Sequence, residues 1–466
     1  MSNYLRKIMM NCDYENLTPL TFTAEAAGST VKLTITGSPT VEGLQYRIGT
    51  SGGWSPYTID TTLTLTNVGD CVQFQNTLET LGTSESNYAS FVITGQIAAF
   101  GNCMSMLNYS DKVSPYAFHR LFNGCSSLTS APELPATILT TSCYFSMFQD
   151  CSSLINAPEL PATILTTSCY AHMFQGCTSL VNAPKLSATS LGKYCCQYMF
   201  RDCSSLTSAP KLPTKTLTTS CYYSMFANCT SLVNAPELPA TVLTTSCYAH
   251  MFNGCSSLTS APELPATTLA NYCYSAMFNG CSSLISAPEL PATILADYCY
   301  QYMFYRCTSL INAPILPATT LDDYCYQYMF YRCTSLINAP ELPATTLANY
   351  CYYYMFQGCS SLVNAPELPA TVLADYCYQY MFYNCTSLVN APELPATTLA
   401  DYCYQHMFNG CKKLNYIKVN FSSWIDNTTN NWVAGVSSTG VFNAPSDLPV
   451  IVGDSNVPTG WTVTNN

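Results

Sequence analysis

The stretch MFNGCSSLTSAPELPATTLANYCYSA, Met251 to Ala276, is one copy of the repeat that decides the fold. The pattern recurs every 26 residues from about Leu121 to Leu414. Its phenylalanine stands at Phe122, Phe148, Phe174, Phe200, Phe226, Phe252, Phe278, Phe304, Phe330, Phe356, Phe382 and Phe408. A fixed period of about 20 to 50 residues is characteristic of solenoids, propellers and repeat arrays. The sequence therefore predicts a stack of copies of one unit over this range.

One half of each copy has the spacing of a helix. In the last full copy, Leu399, Cys403 and Met407 follow one another at intervals of four residues, which would place them on one helical face. The pair Asn409-Gly410 then provides a stop signal. We therefore expect a short helical segment in every copy.

The other half of each copy predicts a short strand, as in Leu388–Pro392. The residue after the leucine is β-branched in every copy, from Thr129 to Val389, and strands favour such residues. The following position holds only Ser or Asn, and the proline further on would end the pairing. Strands stacked about 4.7–4.9 Å apart would let the Ser and Asn side chains form hydrogen bonds along the ladder.

A strand and a helical return in every 26 residues are typical of an α/β leucine-rich-repeat solenoid. We expect about 11–12 repeats, with a parallel strand ladder on one side and right-handed connections. The pattern MF-x-x-C-[ST]-S-L-x-x-A-P-x-L-P-A-T-x-L resembles the BspA-type leucine-rich repeats of surface proteins from gut and oral bacteria and of phages that infect them. The segments 19–23 and 101–107 resemble the leader that often precedes that array, and 431–436 and 458–461 resemble its usual ending. The resemblance implies adhesion and host binding, and it supplies no catalytic residues to carry over.

The segments outside the repeats are expected to cover the two ends of the solenoid. Alternating runs such as Ser29–Thr36 and Thr61–Thr66 predict a small all-β N-terminal domain. A solenoid needs such caps because open strand edges and apolar end faces invite association. The predicted divisions are an N-terminal tail (1–16), a β-sandwich-like domain (17–100), an N-terminal cap (101–120), the solenoid (121–414) and a C-terminal cap (415–466).

Charge and hydropathy argue against two classes of partner. The chain has 466 residues, 16 Lys and Arg, 27 Asp and Glu, and a net charge of −11. Without clustered basic residues, neither nucleic acid nor an anionic membrane surface is an expected partner. No apolar run reaches the ~18 residues that a bilayer requires, so membrane insertion is not expected. The N-terminus lacks the apolar core of a secretory signal, which favours assembly in the cytoplasm.

The cysteines follow the repeat. Of 27 cysteines, 23 occupy two slots of the copy, three residues after the phenylalanine or within the helical half. Equivalent Cβ atoms one coil apart would be separated by about 4.8 Å, whereas a disulfide prefers about 3.8 Å. We therefore expect buried, reduced thiols.

No catalytic, cofactor or metal site is predicted. The four histidines never stand in consecutive copies, and the cysteines lack zinc-ligand spacing. A row of carboxylates is interrupted by Lys185, Lys211 and Ile315, and it consists of Glu133, Glu159, Glu237, Glu263, Glu289, Glu341, Glu367 and Glu393. A solvated face is the favoured interpretation of this row. A cation site is the alternative, although one carboxylate per coil supplies few oxygen ligands.

A candidate ligand-binding face lies in the variable slots around Cys and Phe, which become aromatic and amide-rich from the seventh copy onward. The residues are Tyr298, Gln301, Tyr302, Tyr305, Arg306, Tyr324, Gln327, Tyr328, Tyr331, Arg332, Tyr350, Tyr353, Tyr354, Tyr376, Gln379, Tyr380, Tyr383 and Tyr402. Tyrosine gives large contact area at low entropic cost, so binding surfaces favour it. A host-surface glycan or receptor is the predicted ligand. The alternative is that these tyrosines only cover the coil or pack against a neighbouring subunit.

These features together predict a non-enzymatic structural or adhesion protein. The favoured setting is a phage virion, as a tail fibre, head fibre or decoration protein assembled in the bacterial host cytoplasm. Other virion proteins and a homo-oligomer, with a trimer favoured, are the expected assembly partners. The alternative is an adhesin on the bacterial cell surface. An enzyme with its site in a flank is a third hypothesis that no motif supports.

Overall fold

The computed structural model describes residues 18–39 and 41–465. The chain divides into two compact units, Met1–Leu212 and Pro213–Asn466, and each is described by itself. The predicted N-terminal tail, residues 1–16, lies outside the described residues.

Unit 1 begins with eight strands in two sheets. The strands are β1 (Leu20–Ala24), β2 (Ser29–Thr36), β3 (Leu44–Ile48), β4 (Ser55–Pro56), β5 (Leu63–Leu65), β6 (Cys71–Asn76), β7 (Tyr88–Thr94) and β8 (Ile97–Phe100). One sheet has the order β4-β3-β6-β1-β8-β9, where β9 (Leu128–Ser130) belongs to the first repeat, and the other has the order β5-β2-β7. Strand β2 alternates between buried and half-buried residues over most of its length, as the two-residue period of a strand requires.

The N-terminal sheets and the first repeat of unit 1 share one core. Strand β8 pairs in parallel with β9, so the larger sheet runs directly into the strand ladder of the repeats. The ring of Phe91 stacks on that of Phe122 with centroids 5.5 Å apart, and Phe22 contacts both rings. The edge of the first coil is therefore paired, which removes an open template for association.

A parallel ladder connects the coils, as the sequence predicts. In unit 1 Ser130 bridges Asn156, and Asn156 bridges Asn182; in unit 2 equivalent bridges run from Asn234 to Asn390. Most coils contribute a single bridging residue there, because the proline two positions later has no N–H to continue the ladder.

The predicted helical half is wrong, since the structure has consecutive turns in its place. The amide of Phe145 donates a hydrogen bond to the carbonyl of Ser142, three residues back. The amide of Tyr144 instead donates to the carbonyl of Cys169 in the next coil. Ser142 and Ser146 have φ values of 52° and 53°. An α-helix instead needs negative φ throughout and bonds four residues back. The spacing of four arises because two buried residues alternate with two outward ones.

Buried columns of identical side chains fill the coils. In unit 2, the phenylalanine rings from Phe226 to Phe408 stack with centroids 5.5–5.8 Å apart. The cysteine after each phenylalanine donates its thiol to a carbonyl of the preceding coil, as in Cys255 Sγ to the Phe226 oxygen at 3.1 Å. Each described cysteine is a free thiol, and all but Cys71 are buried.

Unit 2 ends in a four-stranded parallel sheet. It consists of β10 (Asn390–Leu394), β11 (Tyr416–Val419), β12 (Val441–Ala444) and β13 (Thr462–Asn465) in that order. The carbonyl of the fully buried Trp432 accepts a bond from the amide of Phe408 at 2.8 Å, so the turn side also continues beyond the last regular copy. Among the described residues the single helix is a short 3₁₀ helix, Cys103–Leu107.

Candidate binding surface

The turn segments of unit 2 place half-buried side chains on their outer surface. The buried pair Cys299 and Tyr300 is followed by the outward pair Gln301 and Tyr302, and the same alternation repeats along the segment. The second residue of each outward pair has left-handed backbone, with φ of 57° at both Tyr298 and Tyr302. Because every copy has the same length, residues 26 apart lie next to each other in adjacent coils.

Three columns of rings result. The first column consists of Tyr272, Tyr298, Tyr324, Tyr350, Tyr376 and Tyr402. The second column consists of Tyr302, Tyr328, Tyr354, Tyr380 and His406. The third column is the stacked pair Tyr305 and Tyr331, with centroids 4.6 Å apart. Neighbouring centroids lie 4.4–4.6 Å apart in the first column and 4.3–4.8 Å apart in the second, with nearly parallel planes.

Amide side chains form their own row beside the second column. Gln301 Nε2 donates to Gln327 Oε1 at 2.5 Å, and Gln379 donates in the same way to Gln405. Tyr353 occupies this slot between the two pairs, and its ring meets that of the adjacent Tyr354 edge to face. The hydrogen-bonding groups of this row are therefore satisfied largely by contacts within the chain.

Two guanidinium groups lie against the third column. The Arg306 and Arg332 groups each stand 5.3 Å from the ring centroid of the preceding residue, Tyr305 or Tyr331. Such cation–π contacts stabilise by about 0.5–1 kcal/mol at exposed sites. Both arginines remain exposed, so they are the cations that this surface offers to a ligand.

Three phenol groups of the columns have a raised pKa and stay protonated at neutral pH, those of Tyr298, Tyr350 and Tyr354. Burial beside neighbouring tyrosines raises the pKa of Tyr298 and of Tyr350 to about 12. Burial, and then the neighbouring phenol of Tyr353, raises the pKa of Tyr354 above its ordinary value. The hydroxyls can therefore both donate and accept hydrogen bonds.

The stacking limits what the rings can contact. Inside a column, both faces of a ring are covered by the rings of the coils on either side, at centroid distances below 5 Å. A sugar ring could lie flat only on an end ring. Elsewhere a ligand meets ring edges and hydroxyl groups, repeated once per coil.

The structure brings all the predicted site residues onto the turn segments of unit 2, although not equally near solvent. Gln327 and Gln379 are buried, with 8% and 6% exposure, while the other predicted Gln and Tyr residues are half-buried. The sequence prediction missed Tyr272, Gln405 and His406, which extend the columns. They could have been found because they occupy the same slots of the repeat.

Other kinds of site receive no support from the described part of the chain. No group of three or more His, Cys, Asp or Glu residues within 18–39 and 41–465 is placed to hold a metal ion. Over the same residues, no helix has the length and apolar character needed to cross a bilayer.

The repeats have a family counterpart. The family described as "BspA type Leucine rich repeat region (6 copies)" matches residues 97–233, 185–310, 219–354 and 323–451, which together span more than half of the chain. The chain belongs to this family. The resemblance seen in the repeat pattern is thereby confirmed, as is the leucine-rich-repeat solenoid.

Two solved structures are also similar. A leucine-rich repeat protein from Eubacterium ventriosum ATCC 27560 is 14% identical, with 66% of this chain and 75% of that chain covered and a TM-score of 0.28. The TLR13–ssRNA13 complex is 12% identical, with 74% of this chain and 47% of that chain covered and a TM-score of 0.24. No curated protein sequence matches the chain. The family assignment therefore depends on the repeats themselves.

Proposed function

We propose that this BspA-type repeat protein is a non-enzymatic adhesion protein of a phage virion, carried as a fibre or decoration protein. In this proposal the three tyrosine columns bind a glycan or receptor on the host surface. The columns are the observation that carries the proposal. The first column alone repeats hydroxyl groups and ring edges over six coils, on side chains that neighbouring rings already hold in place. Preorganised tyrosines lose little entropy on binding.

The second column provides the test. The triple variant Tyr302→Ser, Tyr328→Ser, Tyr354→Ser should fold, because Ser146 and Ser224 occupy the same slot with φ of 53° and 51°. We expect its attachment to host cells or to isolated capsular polysaccharide to fall about thirtyfold or more, since truncating a central tyrosine commonly costs about 2 kcal/mol. Labelled protein and a titration of cell-associated fluorescence measure the affinity.

The matched control replaces the same three tyrosines with phenylalanine. It keeps the stacked rings and removes only the hydroxyls, so it separates hydrogen bonding from shape. We expect weakened attachment, because the exposed edges carry those hydroxyls. Full attachment by the folded serine variant would contradict the proposed site.

The virion setting is supported by the family resemblance and by the thiols. Buried free thiols suit assembly in a reducing compartment such as the bacterial cytoplasm. Mass spectrometry of purified virions should find this chain, and sedimentation should show a homo-oligomer. Recovery from the bacterial envelope but never from particles would instead favour the cell-surface adhesin.

A further inference from the structure

The Ala-Pro-Glu-Leu-Pro segments form a series of grooves on a side of the coil that the proposed function does not use. We call them the Pro-Glu grooves. One lies in unit 1, has a volume of about 480 Å³ and is lined by Ala131, Pro132, Glu133, Leu134, Pro135, Pro158, Glu159 and Pro161. Two lie in unit 2, with volumes of about 370 and 460 Å³, at the Glu237–Glu263 and Glu263–Glu289 pairs. All three occupy the same position in the repeat.

Each groove combines apolar walls with two carboxylates. In unit 2, Pro262 and Pro265 line both grooves, and the buried Leu264 lies beneath one of them. Glu237, Glu263 and Glu289 are exposed, and none forms an ion pair within the described residues. The backbones of adjacent coils in such a ladder lie about 4.8 Å apart, so neighbouring carboxylates of this row repel each other unless a cation lies between them.

The chain itself shows which group fits this row. At its C-terminal end the next coil supplies Lys418, which pairs in parallel register with Glu393. The Lys418 Nζ lies 3.0 Å from the Glu393 carboxylate. An ammonium on an aliphatic stem therefore takes the place beside a glutamate of this row. Glu133, Glu263 and Glu289 have no lysine in the same slot of either adjacent copy, whereas Lys185 follows Glu159 by 26 residues and Lys211 precedes Glu237 by 26. Within the described residues of unit 1, Lys185 forms no ion pair.

We propose that the Pro-Glu grooves bind a lysine-rich segment of a protein partner. The ammonium groups lie between the glutamates of adjacent coils, and the methylene stems pack on the proline rings. Lysine suits both parts, because its long apolar stem covers apolar surface while its charge stays in water. The grooves recur along the coils, so an extended segment with several lysines engages more than one of them.

Binding of fluorescein-labelled octalysine to the full-length protein tests the proposal by fluorescence anisotropy at physiological ionic strength. The groove variant carries Glu→Gln at Glu133, Glu159, Glu237, Glu263 and Glu289. The control variant has the same net charge and carries Glu42→Gln, Glu79→Gln, Glu85→Gln, Asp111→Asn and Asp426→Asn, all at exposed positions. We expect about a tenfold or greater loss of affinity in the groove variant and less than about a twofold loss in the control.

A variant with one reversed charge provides the second part of the binding experiment. Glu263→Lys should weaken octalysine binding by more than any one of the Glu→Gln changes does, because Glu263 borders both grooves of unit 2. It should also fold, since Lys185 and Lys211 occupy the same slot of the repeat. Equal losses in the groove and control variants would reduce the effect to net charge and overturn the proposal. Absence of octalysine binding, or equal binding of octaglutamate, would overturn it as well.

Discussion

At the scale of single residues, the left-handed backbone slots determine what the outer surface carries. Tyr, Ser, His and Ala all occupy these slots, as at Tyr302, Ser224, His250 and Ala276, with φ between 51° and 58°. A left-handed residue other than glycine costs about 1–2 kcal/mol. The cost is tolerated because the hydrogen bonds between coils fix the backbone whatever the side chain. The positive φ therefore belongs to the fold, and it is not by itself a mark of binding.

His119 should make unit 1 sensitive to acid. It is 2% exposed, both ring nitrogens lack hydrogen-bond partners among the described residues, and its ring stacks on Phe145. Burial, and then the nearby Arg120 charge, lowers its pKa from 6.5 to about 4. The unfolded chain therefore binds the proton first as the pH falls. The stabilisation is complete above about pH 6.5 and is lost as the pH falls toward 4.

The measurement is urea unfolding of the wild type and of His119→Phe between pH 7 and pH 4. The phenylalanine keeps the stack and removes the titrating group. We expect the wild type to lose on the order of 3 kcal/mol more than the variant over this range. A parallel decline in both proteins would show that other groups cause the acid sensitivity.

At the scale of the element, sequence periodicity identified the inward residues but not the backbone. Leu399, Cys403 and Met407 are correctly predicted to share one side, and Cys403 and Met407 are fully buried. A period of 4.0 differs too little from 3.6 over nine residues to separate turns from a helix. The backbone is determined by hydrogen bonds between coils, in which an amide donates to a carbonyl 25 residues later. One example is the Phe304 amide, which donates to the Met329 carbonyl at 2.9 Å. No local pattern reports those bonds.

The turn geometry predicts that one added glycine stabilises unit 2. Ala276 is buried with φ of 52°, so Ala276→Gly removes the left-handed penalty at a position without side-chain hydrogen bonds. After the larger entropy of the unfolded glycine is subtracted, the free energy of unfolding should rise by about 0.5–1 kcal/mol. Chemical denaturation measures the change.

Ala292→Gly is the matched control for that variant. Ala292 is equally buried and has no positive φ, so the same chemical change should lower the free energy of unfolding by about 0.5–1 kcal/mol. If both variants were destabilised alike, the left-handed slot would not cost the energy assigned to it.

At the scale of the whole molecule, repetition was predictable wherever the copy stayed intact. Beyond Leu414 the interval between paired strands falls from 26 residues to 25 and then 21, from Asn390 to Tyr416, Val441 and Thr462. The cysteine and phenylalanine pattern also ends there. Trp432 takes the backbone position of the repeat methionine, because its carbonyl accepts from the Phe408 amide as the Met407 carbonyl accepts from the Phe382 amide. Sequence periodicity does not follow this drift. The cap is predicted over 415–466, but the segment that looks like a strand in sequence, 448–452, is not one of strands β11 to β13.

The repeat cysteines should be unreactive toward alkylating reagents in the native protein and reactive once it unfolds. Burial raises the pKa of the Cys299 and Cys351 thiols, and the thiolate is the reactive form. Alkylation without reductant should leave the native chain almost unlabelled. In denaturant it should add a label at nearly all of the 23 repeat cysteines. Intact-mass measurement counts the labels; protection in denaturant that only a reductant relieves would indicate disulfides.

The uniform length of the copy has a genetic consequence. From Tyr298 to Tyr376 each 26-residue copy contributes one ring to the first column and one residue to the bridges of the strand ladder. Recombination between two copies in the coding DNA therefore deletes or duplicates a complete coil without shifting the register of those that remain. The flanking segments are untouched by such an exchange. A lineage can thus change the valence of its outer surface in steps of one coil, while every interface inside the array stays the same.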